Sequence, residues 1–182
     1  MLRPFRAYEE LANAAEGEGR PSLVVGMARL LFVLGAFVSL TATGRLSVFE
    51  LFSGMISFAY VPIVHLVSLA VALRIVAREV SVKRAYALYA EGYGPWFLFM
   101  FLVAGGSLFL AEPARLLSLA SGLLLLSTFV WGGVLTFACF RSGLALPRWR
   151  AVLAVVFHYL VVTALVLLFF LAAGQLLPII PR

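Results

Sequence analysis

Five long apolar stretches dominate this chain and restrict what it can fold into. With boundaries set to within about 2–4 residues, they are residues 22–43, 51–73, 93–111, 116–140 and 151–177. Each is close to the roughly 20 apolar residues that cross the hydrocarbon core of a bilayer. Backbone groups at that depth must be paired within the segment, and the stretches lack the alternating polarity of a membrane β-barrel. The sequence therefore predicts an all-α polytopic membrane protein, a single domain over residues 1–182 built as a bundle of five transmembrane helices.

The composition also argues against a soluble protein. Apolar residues make up 64% of the chain and charged residues 12%, whereas soluble domains have about half and about a quarter. The net charge is +6, but the basic residues flank the apolar stretches and form no stripe interleaved with aromatic residues in a soluble segment. We therefore expect no nucleic-acid partner.

The arginine and lysine residues predict the orientation of the five helices. If all five stretches cross the membrane, Arg45, Arg115 and Arg182 fall on one side and the other 11 of the 14 basic residues on the opposite side. If the first stretch does not cross, the count becomes 7 on each side. Because cytoplasmic loops carry an excess of basic residues, we expect five spans, a cytoplasmic N-terminus and an external C-terminus. The expected location is the cytoplasmic (inner) membrane of a bacterium.

Residues 1–21 precede the first apolar stretch and contain four glutamates, so we expect a cytoplasmic segment rather than a cleavable signal peptide. Within it, residues 4–15 place Phe5, Tyr8 and Leu11 at helical spacing, with polar residues opposite. This pattern indicates either a short amphipathic helix at the membrane interface or a frayed terminus.

A basic segment rich in aromatic residues lies between the second and third apolar stretches. Its tyrosines (Tyr86, Tyr89 and Tyr93) and Trp96 are typical of side chains at headgroup depth. Basic side chains here and at the start of the fifth stretch are predicted to bind the headgroups of anionic lipids. They are Arg74, Arg78, Lys83, Arg84, Arg148 and Arg150. We therefore expect the lipid bilayer and its anionic lipids as partners, together with other membrane subunits.

Three short segments carry a resemblance to a known family: residues 4–11 (Pro-Phe-Arg-Ala-Tyr-Glu-Glu-Leu), 83–89 (Lys-Arg-Ala-Tyr-Ala-Leu-Tyr) and 92–96 (Gly-Tyr-Gly-Pro-Trp). With five spans in this orientation, the chain resembles the Yip1-domain membrane proteins in a short, bacterial-type form. The likeness is mainly one of layout. Eukaryotic members of the family carry a Tyr-Gly-Pro motif before their first span, whereas in this chain the motif precedes the third span. The resemblance implies a non-enzymatic protein that organises membrane or partner proteins, and it supplies no catalytic residues.

Two histidines lie inside predicted spans. His65 is nine residues from Arg74 and His158 is eight residues from Arg150, so a rise of 1.5 Å per residue places both about 12–14 Å deep. One interpretation is a functional site that holds the axial ligands of a b-type haem, or a protonatable or metal-binding pair. The other is two structural histidines, each hydrogen-bonded across helices.

Small residues recur every four positions in two of the spans. They are Gly35, Ser39 and Thr43 in the first span, and Thr128, Gly132 and Thr136 in the fourth. Such faces allow helices to approach closely in lipid. They indicate either packing within the chain or a dimer interface.

Motifs for catalysis are missing from the sequence. It contains no aspartate, no His-Glu-x-x-His, no Gly-x-Ser-x-Gly and no phosphate-binding glycine loop. Cys139 is the single cysteine, so we expect no cysteine-based zinc site. The sequence thus favours a non-enzymatic membrane protein of the Yip1 type. The alternative is a membrane subunit of a transport or electron-transfer complex, with His65 and His158 holding a haem b or lining a proton path.

Overall fold

The computed structural model describes residues 3–14, 22–109 and 115–176, and the side chains of 3–14, 22–106 and 122–172. Over these residues the fold is all-α, with no strand. The helices are α1 (Pro4–Ala14), α2 (Leu23–Thr43), α3 (Val48–Ser57), α4 (Tyr60–Val76), α5 (Val82–Ala90), α6 (Gly94–Phe109), α7 (Arg115–Ala138) and α8 (Arg148–Leu176). A 3₁₀ turn (Glu91–Tyr93) joins α5 to α6, and a π-helical turn (Cys139–Gly143) follows α7.

Five helical stretches in the described residues are long and apolar enough to cross a membrane. They are Leu23–Thr43, Val48–Val76, Val82–Gly106, Gly122–Gly143 and Arg148–Ala172. Their outer faces expose large apolar side chains, among them Phe49, Ile56 and Phe170, which is compatible with contact to lipid tails. The predicted all-α bundle of five candidate spans is confirmed, and the chain is an integral membrane protein by these features.

The second span is two helices, because Pro62 interrupts it. Proline has no N–H to bond the carbonyl four residues earlier, and the Phe58 carbonyl instead accepts a hydrogen bond from Val61 N–H at 3.0 Å. The helix therefore ends at Ser57 and restarts at Tyr60. The second of the two helices, α4, packs along α8.

The third span begins at Val82, well before the predicted start near Tyr93. The basic residues at the start of α5 lower its hydropathy, so the apolar pattern alone does not reveal it. The tyrosines of this segment, Tyr86, Tyr89 and Tyr93, are all buried in the core, which the sequence did not predict. Their spacing of three and four residues places them on the inward face of one continuous helical segment.

Packing of α2 on α3 depends on two glycines. A Cβ added at Gly35 would contact the Leu51 carbonyl oxygen and lie 2.8 Å from Met55 Cγ. One added at Gly54 would lie 2.9 Å from the Cα of Gly35. Ser39, one turn after Gly35, accepts a hydrogen bond from Ser47 N–H at 2.7 Å and fixes the α2–α3 connection. This small-residue face of the first span therefore packs within the chain.

The buried core lies at one end of the bundle, which we call the basic end. The basic end comprises α1, the connection between α4 and α5 (residues 77–81) and the connection between α7 and α8 (residues 144–147). Of the two interpretations of the N-terminal segment, the structure has the helix, α1, and it docks on this end with Tyr8 fully buried. Its position at the membrane interface stays a prediction. Burial raises the pKa of the Tyr8 hydroxyl well above its ordinary value.

Candidate functional site

The two intramembrane histidines meet in the structure. The α4 and α8 helices pack together, and the imidazole rings of His65 and His158 lie 5.6 Å apart between centroids, at 26° to each other. The sequence predicted that both histidines lie in one layer of the bundle, and their contact confirms it. His158 is fully buried and His65 is half-buried.

A tyrosine and a serine connect the histidines into one hydrogen-bonded network. The Tyr89 hydroxyl lies 3.2 Å from His65 Nδ1 and 3.1 Å from His158 Nε2. The Ser68 hydroxyl lies 2.8 Å from His158 Nδ1 and 2.9 Å from the carbonyl oxygen of His65. We call these four residues the histidine network. It joins three helices: α4, α5 and α8.

The donors and acceptors of the network match when both imidazoles are neutral. Ser68 donates its one hydroxyl proton to the His65 carbonyl, so His158 Nδ1–H donates to Ser68. The other nitrogen of His158 then accepts from the Tyr89 hydroxyl, which in turn accepts from His65 Nδ1–H. This tautomer assignment follows from counting donors. Each donor in these four hydrogen bonds is therefore matched by an acceptor, as buried polar groups require.

The sequence pointed to His65 and His158 but not to Tyr89 or Ser68. Ser68 lies one turn after His65 on the same helix, so its spacing was a usable signal. Tyr89 lies on a different helix, and its contact with the histidines depends on how α5 packs against α4 and α8. Only the inward-facing spacing of Tyr86, Tyr89 and Tyr93 could have suggested a buried role.

Further tyrosines surround the network. The hydroxyls of Tyr86 and Tyr93 are buried and interact with each other. Tyr93 also lines a cavity of about 10 Å³, together with Tyr8 and Gly92. This volume is at the lower limit for one water molecule. The Tyr8 hydroxyl packs closely on Gly92, 2.6 Å from the position that a Cβ there would take. Helix α1 therefore contributes one wall of the cavity through Tyr8.

The network geometry does not suit an iron held between the histidines. Both ring nitrogens of His158 have hydrogen-bond partners, and the Tyr89 hydroxyl stands between the two rings. Axial ligation by both imidazoles would require that hydroxyl to move away. No group of three or more His, Cys, Asp or Glu side chains that could hold a metal ion occurs in the part of the chain that the structure describes.

The residues predicted to bind lipid headgroups all lie at the basic end. Arg78 lies in the α4–α5 connection, Arg74 precedes it and Lys83 and Arg84 follow it, and α8 begins with Arg148 and Arg150. Five of the six are exposed, and Arg150 is half-buried. Arg150 forms an ion pair with Glu79 at 3.2 Å. That pair joins the two groups of basic side chains into one surface, which we call the basic surface.

Comparison with known proteins assigns no relative to this chain: no protein-family model, no curated protein and no solved structure matches it.

Proposed function

We propose that this chain is a non-enzymatic integral membrane protein of the Yip1 type, which organises the membrane or partner proteins around it through its basic surface. In this proposal the basic end faces the cytoplasm of a bacterium and the basic surface holds anionic lipids of the inner membrane. The basic surface is the main support for this proposal, because it gathers six basic side chains at one end of the bundle. Helix α1 docks at the same end, and the histidine network holds α5 in place.

The charges of the basic surface are available to ligands. Among the described residues, the basic side chains with a carboxylate within 4.0 Å are Arg6, Arg29 and Arg150. The exposed Arg74, Lys83 and Arg84 have no such partner in that part of the chain. Unpaired basic side chains next to a membrane span attract anionic lipids, by about 1 kcal/mol each near the surface.

The histidine network supports this surface from within the membrane. Tyr89 belongs to the same short helix as Lys83 and Arg84, so its bonds to His65 and His158 hold that helix against α4 and α8. Its role in this proposal is to position the basic surface.

A second candidate function rests on the network alone. If a proton enters at His65 Nε2, His65 Nδ1 can give its proton to the Tyr89 oxygen while the Tyr89 hydroxyl proton moves to His158 Nε2, which leaves His65 neutral and His158 protonated. In that case the chain would be a membrane subunit of a transport or electron-transfer complex. A visible haem absorption band in the purified protein, lost in His65→Gln, would favour the electron-transfer form of this function.

The lipid role predicts a selective loss on charge removal. For the double variant Lys83→Gln/Arg84→Gln, we expect affinity for anionic lipid to fall by about 2 kcal/mol, or roughly 30-fold. Native mass spectrometry of the protein extracted from nanodiscs of equal phosphatidylglycerol and phosphatidylcholine measures the retained lipids. The control is Arg45→Gln at the opposite end, which should retain phosphatidylglycerol like the wild type. Equal retention by the double variant and the wild type would contradict the proposed function.

A further inference from the structure

A cleft of about 700 Å³ opens at the basic end between α1 and the connection from α7 to α8. Phe5 and Glu9 line it from α1, and Arg141, Ser142 and Arg148 line it from the other side. Its volume is in the range of small-molecule sites. Arg141 belongs to no set that the sequence pointed to, and the residues of the histidine network do not reach this cleft.

The π-helical turn places Arg141 and Ser142 at the cleft. The turn widens the end of α7, so Leu144 N–H bonds the Cys139 carbonyl at 2.9 Å. Arg141 Nη1 then donates to the Leu146 carbonyl at 2.9 Å, which fixes the guanidinium. That bond uses one of the five guanidinium N–H groups, and the others remain to bind an anion. Such turns often occur at functional sites.

The charges of the cleft favour an anion with a phosphate group. The cleft is lined by two arginines and one carboxylate, that of Glu9, and the Ser142 hydroxyl lies 3.4 Å from Glu9 Oε1. Paired arginines match the geometry of phosphate oxygens. The Arg148 side chain is exposed and has no carboxylate partner among the described residues.

The apolar part of the cleft favours a lipid over free phosphate. Phe5 and Phe137 pack edge to face with their ring centroids 6.0 Å apart, and Phe137 lies in the last turn of α7. The exposed Trp149 follows Arg148 at the start of α8, which is the usual place of an aromatic residue at headgroup depth. An acyl chain can therefore continue from the cleft along apolar side chains.

We propose that this cleft binds one anionic glycerophospholipid, with its phosphate between Arg141 and Arg148 and its acyl chain against Phe5 and Phe137. The inference rests on the proposed function and deepens it, because it assigns a single defined site within the general attraction of the basic end for anionic lipids.

The test is a titration of the purified full-length protein with phosphatidylglycerol, followed by native mass spectrometry. We expect the first lipid to bind about tenfold more weakly to Arg148→Gln, and also to Phe5→Ser. The charge-retaining Arg148→Lys should lose less than Arg148→Gln. Because Arg148 is exposed, Arg148→Gln should keep the thermal stability of the wild type, and Arg45→Gln is the matched control for charge. Phe5→Ser also removes the ring contact with Phe137, so its lipid binding is compared at a temperature where it is folded.

Two further arms separate the possible outcomes. Inorganic phosphate at equal concentration should not displace the first lipid. If it does, and if Phe5→Ser binds lipid normally, the site takes free phosphate and the lipid assignment is wrong. If Arg148→Gln and Phe5→Ser bind the first lipid as the wild type does, the cleft is not the site. If Lys83→Gln/Arg84→Gln still loses lipid in that case, the proposed function stands and only the assignment of the cleft is wrong. If the double variant also retains lipid as the wild type does, the proposed function and the cleft assignment are both contradicted.

Discussion

Replacing Gly35 with valine is expected to destabilise the protein by about 3 kcal/mol. The Cβ that valine adds would contact the backbone carbonyl oxygen of Leu51, and Met55 Cγ would be 2.8 Å away. A flexible side chain can rotate away from such a contact, but a backbone carbonyl within α3 cannot. Overpacking of this kind costs about 1–3 kcal/mol in most cores, and a backbone obstacle puts Gly35 at the upper end of that range.

The measurement for Gly35→Val is the free energy of unfolding in detergent, from thermal or denaturant transitions followed by circular dichroism. The matched control is Gly133→Val. Gly133 also lies inside a membrane helix, but a Cβ there meets nothing within 4 Å, so its stability should stay close to that of the wild type. Equal stability of the two variants would show that α2 and α3 do not pack as closely as the structure places them.

Replacing Tyr89 with phenylalanine is expected to lower the free energy of unfolding by about 2–3 kcal/mol. The substitution keeps the ring and removes the hydroxyl that bonds His65 Nδ1 and His158 Nε2. His158 is fully buried, so its nitrogen cannot turn to water instead. An unsatisfied buried polar group costs about 1–3 kcal/mol. The hydrogen bond lost at half-buried His65 costs less, close to the average of about 0.6 kcal/mol for hydrogen bonds between membrane helices. Most of the expected loss of stability therefore comes from His158.

Tyr60→Phe is the control for this prediction. The ring of Tyr60 stacks on Phe169 at 4.1 Å between centroids, and the contact does not depend on the hydroxyl. Hydrogen exchange of α5 in nanodiscs provides a second readout. Tyr89→Phe should speed exchange in Val82–Ala90 because that helix loses its polar anchor, whereas Tyr60→Phe should not. Unchanged stability and exchange in Tyr89→Phe would remove the supporting role that we give to the histidine network.

The coarse architecture could be read from the sequence because the bilayer restricts it so strongly. Long apolar stretches can satisfy their backbone groups only as helices, and this rule was enough to predict five spans. The shared depth of His65 and His158 followed from helical rise alone. The spacing of Phe5, Tyr8 and Leu11 indicated an amphipathic helix at α1 as one of two alternatives, but the sequence did not predict that this helix docks on the bundle.

The rest depended on tertiary contacts that the pattern does not encode. Lys83 and Arg84 made the start of α5 look like a loop, although the opposite face of that helix is apolar and buried. Tyr89 could not be joined to the histidines, because the contact requires the rotation of α5 relative to α4 and α8. Arg141 was missed for a similar reason, since only the π-helical turn brings it to the cleft.

The central claim is that the basic end faces the cytoplasm, where it can hold anionic lipids, and cysteine labelling tests it most directly. Cys139 is buried and is replaced by serine as the background. Single cysteines are then placed at Arg84, on the basic surface, and at Leu46, exposed in the α2–α3 connection at the opposite end. With a thiol reagent that does not cross the inner membrane, we expect Leu46→Cys to be labelled in intact cells and Arg84→Cys only after the cells are opened. The reverse pattern would contradict the account.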